Sequence, residues 1–172
     1  MEFNHFDSRG HAIMVDISDK KKSFRTAKAQ AVVRLKHDTL TELIRGENTK
    51  GDVFGIARLA GISAAKKTSD LIPLAHPLSL SFGCIDFEID EVDTTSATIK
   101  IVSQVKTLER TGVEMEAMTA ASVAALTIYD MCKGSDKGIA IENVSLLYKS
   151  GGKSGVYQKG SSGSCDRNDA WP

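Results

Sequence analysis

The chain has 172 residues, 41% apolar and 26% charged, a length and balance that suit one globular domain with a real core. Twenty-two basic residues offset twenty-two acidic ones, which excludes a broad nucleic-acid or membrane surface, since both rest on clustered excess Lys and Arg. Cys84, Cys132 and Cys165 form no C-x-x-C pair, so neither a zinc knuckle nor a redox dithiol is indicated. Their odd number, the lack of a secretory core in "MEFNHFDSRG" and the absence of any membrane-length apolar run point to a cytoplasmic protein with reduced thiols.

Residues 1–22 read as an extended N-terminal segment, polar and irregular, whose apolar patch "AIMVDI" is expected to pair at a sheet edge or dock on a neighbour. The first strand is "TAKAQAVVRL", where Ala27, Ala29, Ala31, Val33 and Leu35 alternate with Lys28, Gln30 and Arg34. "HDTLTELIRG" predicts a short helix with Asp38 as N-cap, Leu40, Leu43 and Ile44 on one face, and Gly46 as the stop. A second helix is predicted from about Asp52, where Val53, Ile56, Ala57 and Ala60 keep the three-and-four spacing. "LIPLAHPL" then turns the chain into the strand "LSLSFGCIDFEID", whose parity changes near Gly83 as at a bulge. The polar "EVDTTS" joins it to "ATIKIVSQVK", in which Ala97, Ile99, Ile101, Ser103 and Val105 face one way, so an antiparallel hairpin is expected. A long helix from about Gly112 to Lys133 and a strand near "ENVSLLYKS" complete a single catalytic domain over 23–159. The 160–172 tail, with "SSGSCDRNDAWP", is polar, poor in branched residues and expected to be disordered. Strand, helices, two strands, helix, strand is the order of an α+β fold with helices packed on one face of an antiparallel sheet.

Within the long helix, nearly every position from Ala117 to Ile128 is apolar and small, including Ala120, Ala121, Ala124 and Ala125, which leaves no polar face for water. One side can pack on the sheet. The other calls for a second helix or a second subunit, and oligomerisation is expected. Glu116 and Asp130 share a helix face but stand roughly 21 Å apart, at 1.5 Å per residue. They cannot serve one site within one chain; a site using both joins opposite ends of two symmetry-related helices. Asp130 and Lys133, three residues apart, can touch. Glu114 lies roughly 200° around the helix from Glu116, so at most one of the two is expected to face a given site.

The segment "TIYDMCK" sets an acid at the C-terminal end of that helix, where it opposes the helix dipole, and this misplacement favours an acid–base role for Asp130 with Lys133. Glu114 and Glu116, in contrast, lie in the first turn, where the dipole alone accounts for acids. His76 precedes Pro77 and is therefore held extended, displaying its ring on a stiff stretch; a histidine bonded under a turn is the alternative. Lys50 directly precedes a helix start, a natural anion site, unless it is simply solvated. "KSGGKSG", from Lys149 to Gly155, is no Walker motif, because the pattern demands a glycine where Leu147 stands. Its amides can cradle a phosphate, or it is a flexible surface loop. Together Lys50, Lys67, Lys133, Lys149 and Lys153 supply the local charge for a polyphosphate in a protein of zero net charge, which suggests an anionic metabolite held between subunits.

The blocks "MVDIS", "KGDVFGIARLAGISAAKKTSDLIPLAHPL", "TGVEMEAMTAASVAALTIYDMCK" and "LLYKSGGKSG" together resemble the molybdenum-cofactor biosynthesis protein C family, the cyclic pyranopterin monophosphate synthases, over about Met14 to Gly155. The resemblance implies a ferredoxin-like α+β subunit assembled as a hexamer of three dimers. It implies a diphosphate-releasing lyase acting on a cyclised dihydro-GTP. The family's catalytic pair falls on Asp130 and Lys133, and its substrate-binding segments on Leu74, Ala75 and His76 and on Met115 and Glu116, with Glu114 beside them. Its supporting lysines fall on Lys50 and Lys149, and by looser correspondence on Lys67 and Lys153. Many members carry cysteine where Ala75 stands, so a thiol role is not expected here. No metal-ligand cluster is visible, and Mg²⁺ is expected, if at all, with the triphosphate. Two other classes stay open: a ligand-sensing module, which would not need Asp130 with Lys133, and a single-stranded RNA binder, which would want exposed aromatics and a basic face.

Overall fold

The alternating segment around Ala27 becomes β1 (Ser23–Lys36), the centre of the sheet, because its odd positions from Ala27 to Leu35 all turn inward and are buried. The computed structural model describes residues 5–46 and 48–160, the side chains of 90–92 excepted. After β1 come α1 (His37–Arg45), α2 (Val53–Ala65), α3 (Thr68–Leu71), β2 (Phe82–Val92), β3 (Ser96–Glu109), α4 (Glu114–Cys132), β4 (Ala140–Ser150) and β5 (Tyr157–Gln158). The strands form one sheet in the order β2-β3-β1-β4-β5, with every pair antiparallel. The α+β expectation holds. No described helix is long and apolar enough to cross a membrane.

The core lies between the sheet and two helices. α4 packs on β1, β3 and β4, while α2 packs on β2 and along α4. Val33, Ile85, Ile99, Ile101, Val105 and Ile128 are fully buried there, and each such aliphatic side chain contributes about 1.5–3 kcal/mol relative to exposure. The alanines of β1 and α4 bury little area individually. What they permit is close approach, and Ser103 uses it: its hydroxyl donates to Ala117 O at 2.7 Å, tying sheet to helix inside the core. Gly61 plays the same part between the helices. A Cβ there would collide with Ile85 and meet Ala120 O at 2.7 Å.

Of the two ways to cover the alanine-rich helix, a second helix or a second subunit, the first is realised within the chain by α2. The helix is not buried all round, since Leu126 stays 56% exposed. Other expectations need correcting. The N-cap of α1 is Lys36, not Asp38, because extended strand geometry runs straight into the helix, and Ile44 points to solvent rather than sharing the buried face of Leu40 and Leu43. Gly46 does end α1 in the left-handed conformation, at φ 67°. Asp52 caps α2, its Oδ1 accepting from Gly55 N–H at 2.9 Å, but Ile56 is exposed. The register of β2 runs unbroken through Gly83, and the irregularity falls between Ile89 and Glu91. The patch "AIMVDI" pairs with no sheet edge; it crosses the His76 loop of its own chain, with Ile13 and Met14 exposed. The tail expected to be disordered lies, from residue 161 on, outside the described residues.

Candidate active site

Two clusters form, one at each end of α4. At its C-terminal end Lys133 Nζ donates to Asp130 Oδ1 at 2.6 Å. Lys50 Nζ donates to the Asp130 carbonyl at 2.7 Å and stands 3.9 Å from its Oδ2. The Lys50 ammonium therefore sits at the C-terminus of α4, where the dipole favours a cation, and not at the start of α2. This also accounts for Asp130 at a helix end that disfavours it. Lys133 above all, with Lys50 adding, holds the Asp130 carboxyl below its usual range, and Asp130 in turn raises Lys133. At neutral pH Lys133 carries the proton and Asp130 the charge. The side chain of Asp130 remains 61% exposed, open to whatever approaches. Cys132, between them in sequence, is buried, which pushes its thiol up to about 11 and makes it a packing residue.

At the N-terminal end of α4 a cleft of about 560 Å³ is bordered by Leu74, Ala75, His76, Glu114, Met115 and Glu116. Glu116 is only 4% exposed, and burial, with the charge of Glu114 adding, pushes its carboxyl up to about 7 against the pull of its own backbone amide. A carboxyl poised there can give or take a proton near neutrality. Both glutamates border this cleft, against the expectation that only one could. Glu114 is the first residue of the helix, and its side chain folds back over Gly112, where an added Cβ would collide with it. His76 is both displayed and bonded: Nε2 lies 2.8 Å from Val15 O, and since a carbonyl only accepts, Nε2 bears the hydrogen.

A second cleft of about 1180 Å³ adjoins the first through Lys20, Thr111, Gly112 and Glu114. Its far wall is the glycine loop, Gly151, Gly152 and Lys153, with φ at +97° and +74° for the two glycines. Side chains there would collide with the Phe24 carbonyl and the Arg25 guanidinium, so the loop can press onto Arg25 only as glycine. Lys149 reaches Ser154 Oγ within this loop. Lys67 is exposed at the start of α3. The chain thus gathers Lys50 with Asp130 and Lys133, and Leu74, Ala75 and His76 with Glu114, Met115 and Glu116, but keeps the two groups at opposite ends of a 19-residue helix.

Lys20, Arg25 and Arg110 border the second cleft, yet the sequence pattern passes over them. For Arg25 a signal existed: it has the inward parity of Ala27 and Ala29, and an arginine at an inward strand position asks for a reason. Among the described residues no group of three or more His, Cys, Asp or Glu gathers as a metal site would require.

Fold and clusters together define a single-sheet α+β protein with ionisable groups concentrated at both ends of one core-packed helix. The chain belongs to the MoaC family, whose model matches residues 14–152. It is 60% identical over 159 residues to a protein of Geotalea uraniireducens (strain Rf4), an alignment spanning 92% of this chain and 98% of the relative. It is 58% identical, with the same coverage, to proteins of Geobacter metallireducens and Geobacter sulfurreducens. All three are named cyclic pyranopterin monophosphate synthase.

Proposed function

We propose that this chain is a cyclic pyranopterin monophosphate synthase of molybdenum cofactor biosynthesis. It would convert 3',8-cyclo-7,8-dihydroguanosine 5'-triphosphate to cyclic pyranopterin monophosphate with loss of diphosphate, a lyase reaction. The observation that carries this reading is the likeness to proteins of that name across 98% of their length, at 58–60% identity.

Closing a pyran ring and a cyclic phosphate moves protons at sugar and pterin atoms while negative charge shifts toward departing diphosphate. In this proposal Lys133 gives a proton and Asp130 accepts one after substrate has parted them, because the intact ion pair holds Lys133 up and Asp130 down, away from the range in which either transfers a proton readily. Glu116, with Glu114, Met115, Leu74, Ala75 and His76, holds the base and sugar. Lys50, Lys149, Lys153 and Lys67 balance the phosphates, and Mg²⁺ would enter as the triphosphate's own counter-ion.

Asp130 and Glu116 lie about 21 Å apart on one helix, so a site that uses both draws them from two chains. This supports a homo-oligomer, and we take it to be a hexamer built as a trimer of dimers, working in the cytoplasm. The strand order β2-β3-β1-β4, with helices following β1 and β3, supports a ferredoxin-like reading of the subunit. The test is incubation of the purified protein with the cyclised dihydro-GTP, following diphosphate and the pterin product. Release of both at catalytic rates is expected; no diphosphate above the protein-free control would overturn the assignment.

A further inference from the structure

Residues 13–20 cross the mouth of the His76 cleft outside the sheet, and side chains fasten them there. His76 Nε2 bonds Val15 O at 2.8 Å. Arg110 Nη1 donates to Ile17 O at 3.4 Å and also to Ser18 O. The strap is shaped locally as well, by Ser18 N–H donating to Asp16 Oδ1 at 2.8 Å and Lys20 N–H to Ile17 O at 3.1 Å. Arg110 is itself braced, because its carbonyl accepts from Arg25 Nη2 at 3.3 Å while Arg25 Nε reaches Glu109 O at 3.5 Å. The result of this fastening is the place of Lys20, the strap residue that borders both clefts.

We infer that Arg110 is a positioning residue: its guanidinium latches the strap across the cleft and so seats Lys20 at the junction of the two clefts, facing an anionic group of the substrate. The role in substrate binding rests on the function proposed above; the latch rests on geometry alone. The residue type follows from the task. Backbone carbonyls must be met by donors. One guanidinium nitrogen here serves two successive carbonyls with charge-assisted bonds, and the planar group loses less freedom per bond than a lysine would. Arg110 touches the strap and Arg25 and itself borders the second cleft, so the nicking rate reads its hold on the strap apart from any contact of its own with substrate.

The experiment uses the full chain with Arg110→Ala, Arg110→Lys and Lys20→Gln. Trypsin acting after Lys20, Lys21 or Lys22 releases the N-terminal segment, read by mass spectrometry. Arg110→Ala should be nicked there about tenfold faster than the wild type, the ratio set by loss of one charge-assisted anchor. Its KM for the cyclised dihydro-GTP should rise by about the same factor with kcat nearly unchanged, and Arg110→Lys should lie between. Lys20→Gln should raise KM equally while nicking at Lys21 and Lys22 stays at the wild-type rate. An unchanged nicking rate in folded Arg110→Ala, faster nicking with unchanged KM, or a loss confined to kcat overturns the inference. Should Arg110→Ala fail to fold, Arg110→Lys and Lys20→Gln decide it, a wild-type KM for Lys20→Gln counting against. A wild type without turnover would remove the functional reading while nicking still judged the latch.

Discussion

Burial of Glu116 makes a quantitative demand on stability. Its carboxyl is pushed from 4.5 up to about 7 in the folded chain. Each pH unit of difference is worth about 1.36 kcal/mol, so the ionised side chain costs the fold about 3 kcal/mol at full effect. The sign follows from proton counting. Between pH 4.5 and 7 the folded state binds more protons at this residue than the unfolded state, so stability falls as pH rises and levels off above 7. Integrating that difference from pH 5 to pH 8 gives a loss of about 2–3 kcal/mol. Glu116→Gln keeps the shape of the protonated acid and removes the titration. Urea unfolding of both proteins at one protein concentration, at pH 5 and at pH 8, should show the variant gaining about 2–3 kcal/mol over the wild type between the two. Parallel pH dependences for the two proteins would refute the argument, and would mean that Glu116 is ionised in the fold by a cation this chain alone does not supply.

Three further outcomes are expected. Asp130→Ala and Glu116→Ala should each be inactive, yet subunits mixed in equal amounts and co-assembled should regain about a quarter of the sites, since mixed pairs rebuild one of their two; continued inactivity in demonstrably mixed oligomers would sink the two-chain site. Gly61→Ala should lose about 1–3 kcal/mol in urea unfolding, because Ile85 can shift but the Ala120 carbonyl cannot, and an unchanged midpoint would show that the α2–α4 seam has slack. Asp136 is buried and accepts from Lys36 N–H at 2.9 Å and Gly138 N–H at 2.8 Å, so Asp136→Ala should cost about 1–3 kcal/mol for each amide left without a partner, read by the same assay.

What could be read in the sequence was local. The period of two in β1 and β3 and the three-residue spacing of Asp130 and Lys133 depend on neighbours in the chain, and the fold realises both. The bond from Lys50 to Asp130 spans eighty positions, and no periodicity announces it. Arg110 left no signature because its partners are backbone carbonyls, which every residue possesses. Asp38 misled as a cap because side-chain preference at a helix start yields when a strand delivers the chain already extended, as Lys36 does at ψ 147°. Glu114 misled because helical angles around the axis fix a side chain's direction only after the first turn has formed.

β1 sits at the middle of the sheet, yet it is the first of the described strands to be synthesised. Its two ladders run to Ser96–Glu109 and to Ala140–Ser150. While a ribosome is still adding residues before 96, neither edge of β1 has a neighbour to pair with, and the β4 edge waits until about residue 150 has emerged. For that interval a strand with a bare apolar face and two open edges is the least protected part of the nascent chain, although its inward face from Ala27 to Leu35 is fully enclosed in the finished one. The protein's exposure to premature association is therefore concentrated in the time between making β1 and making β4, and slowed translation of residues 96–150 lengthens it.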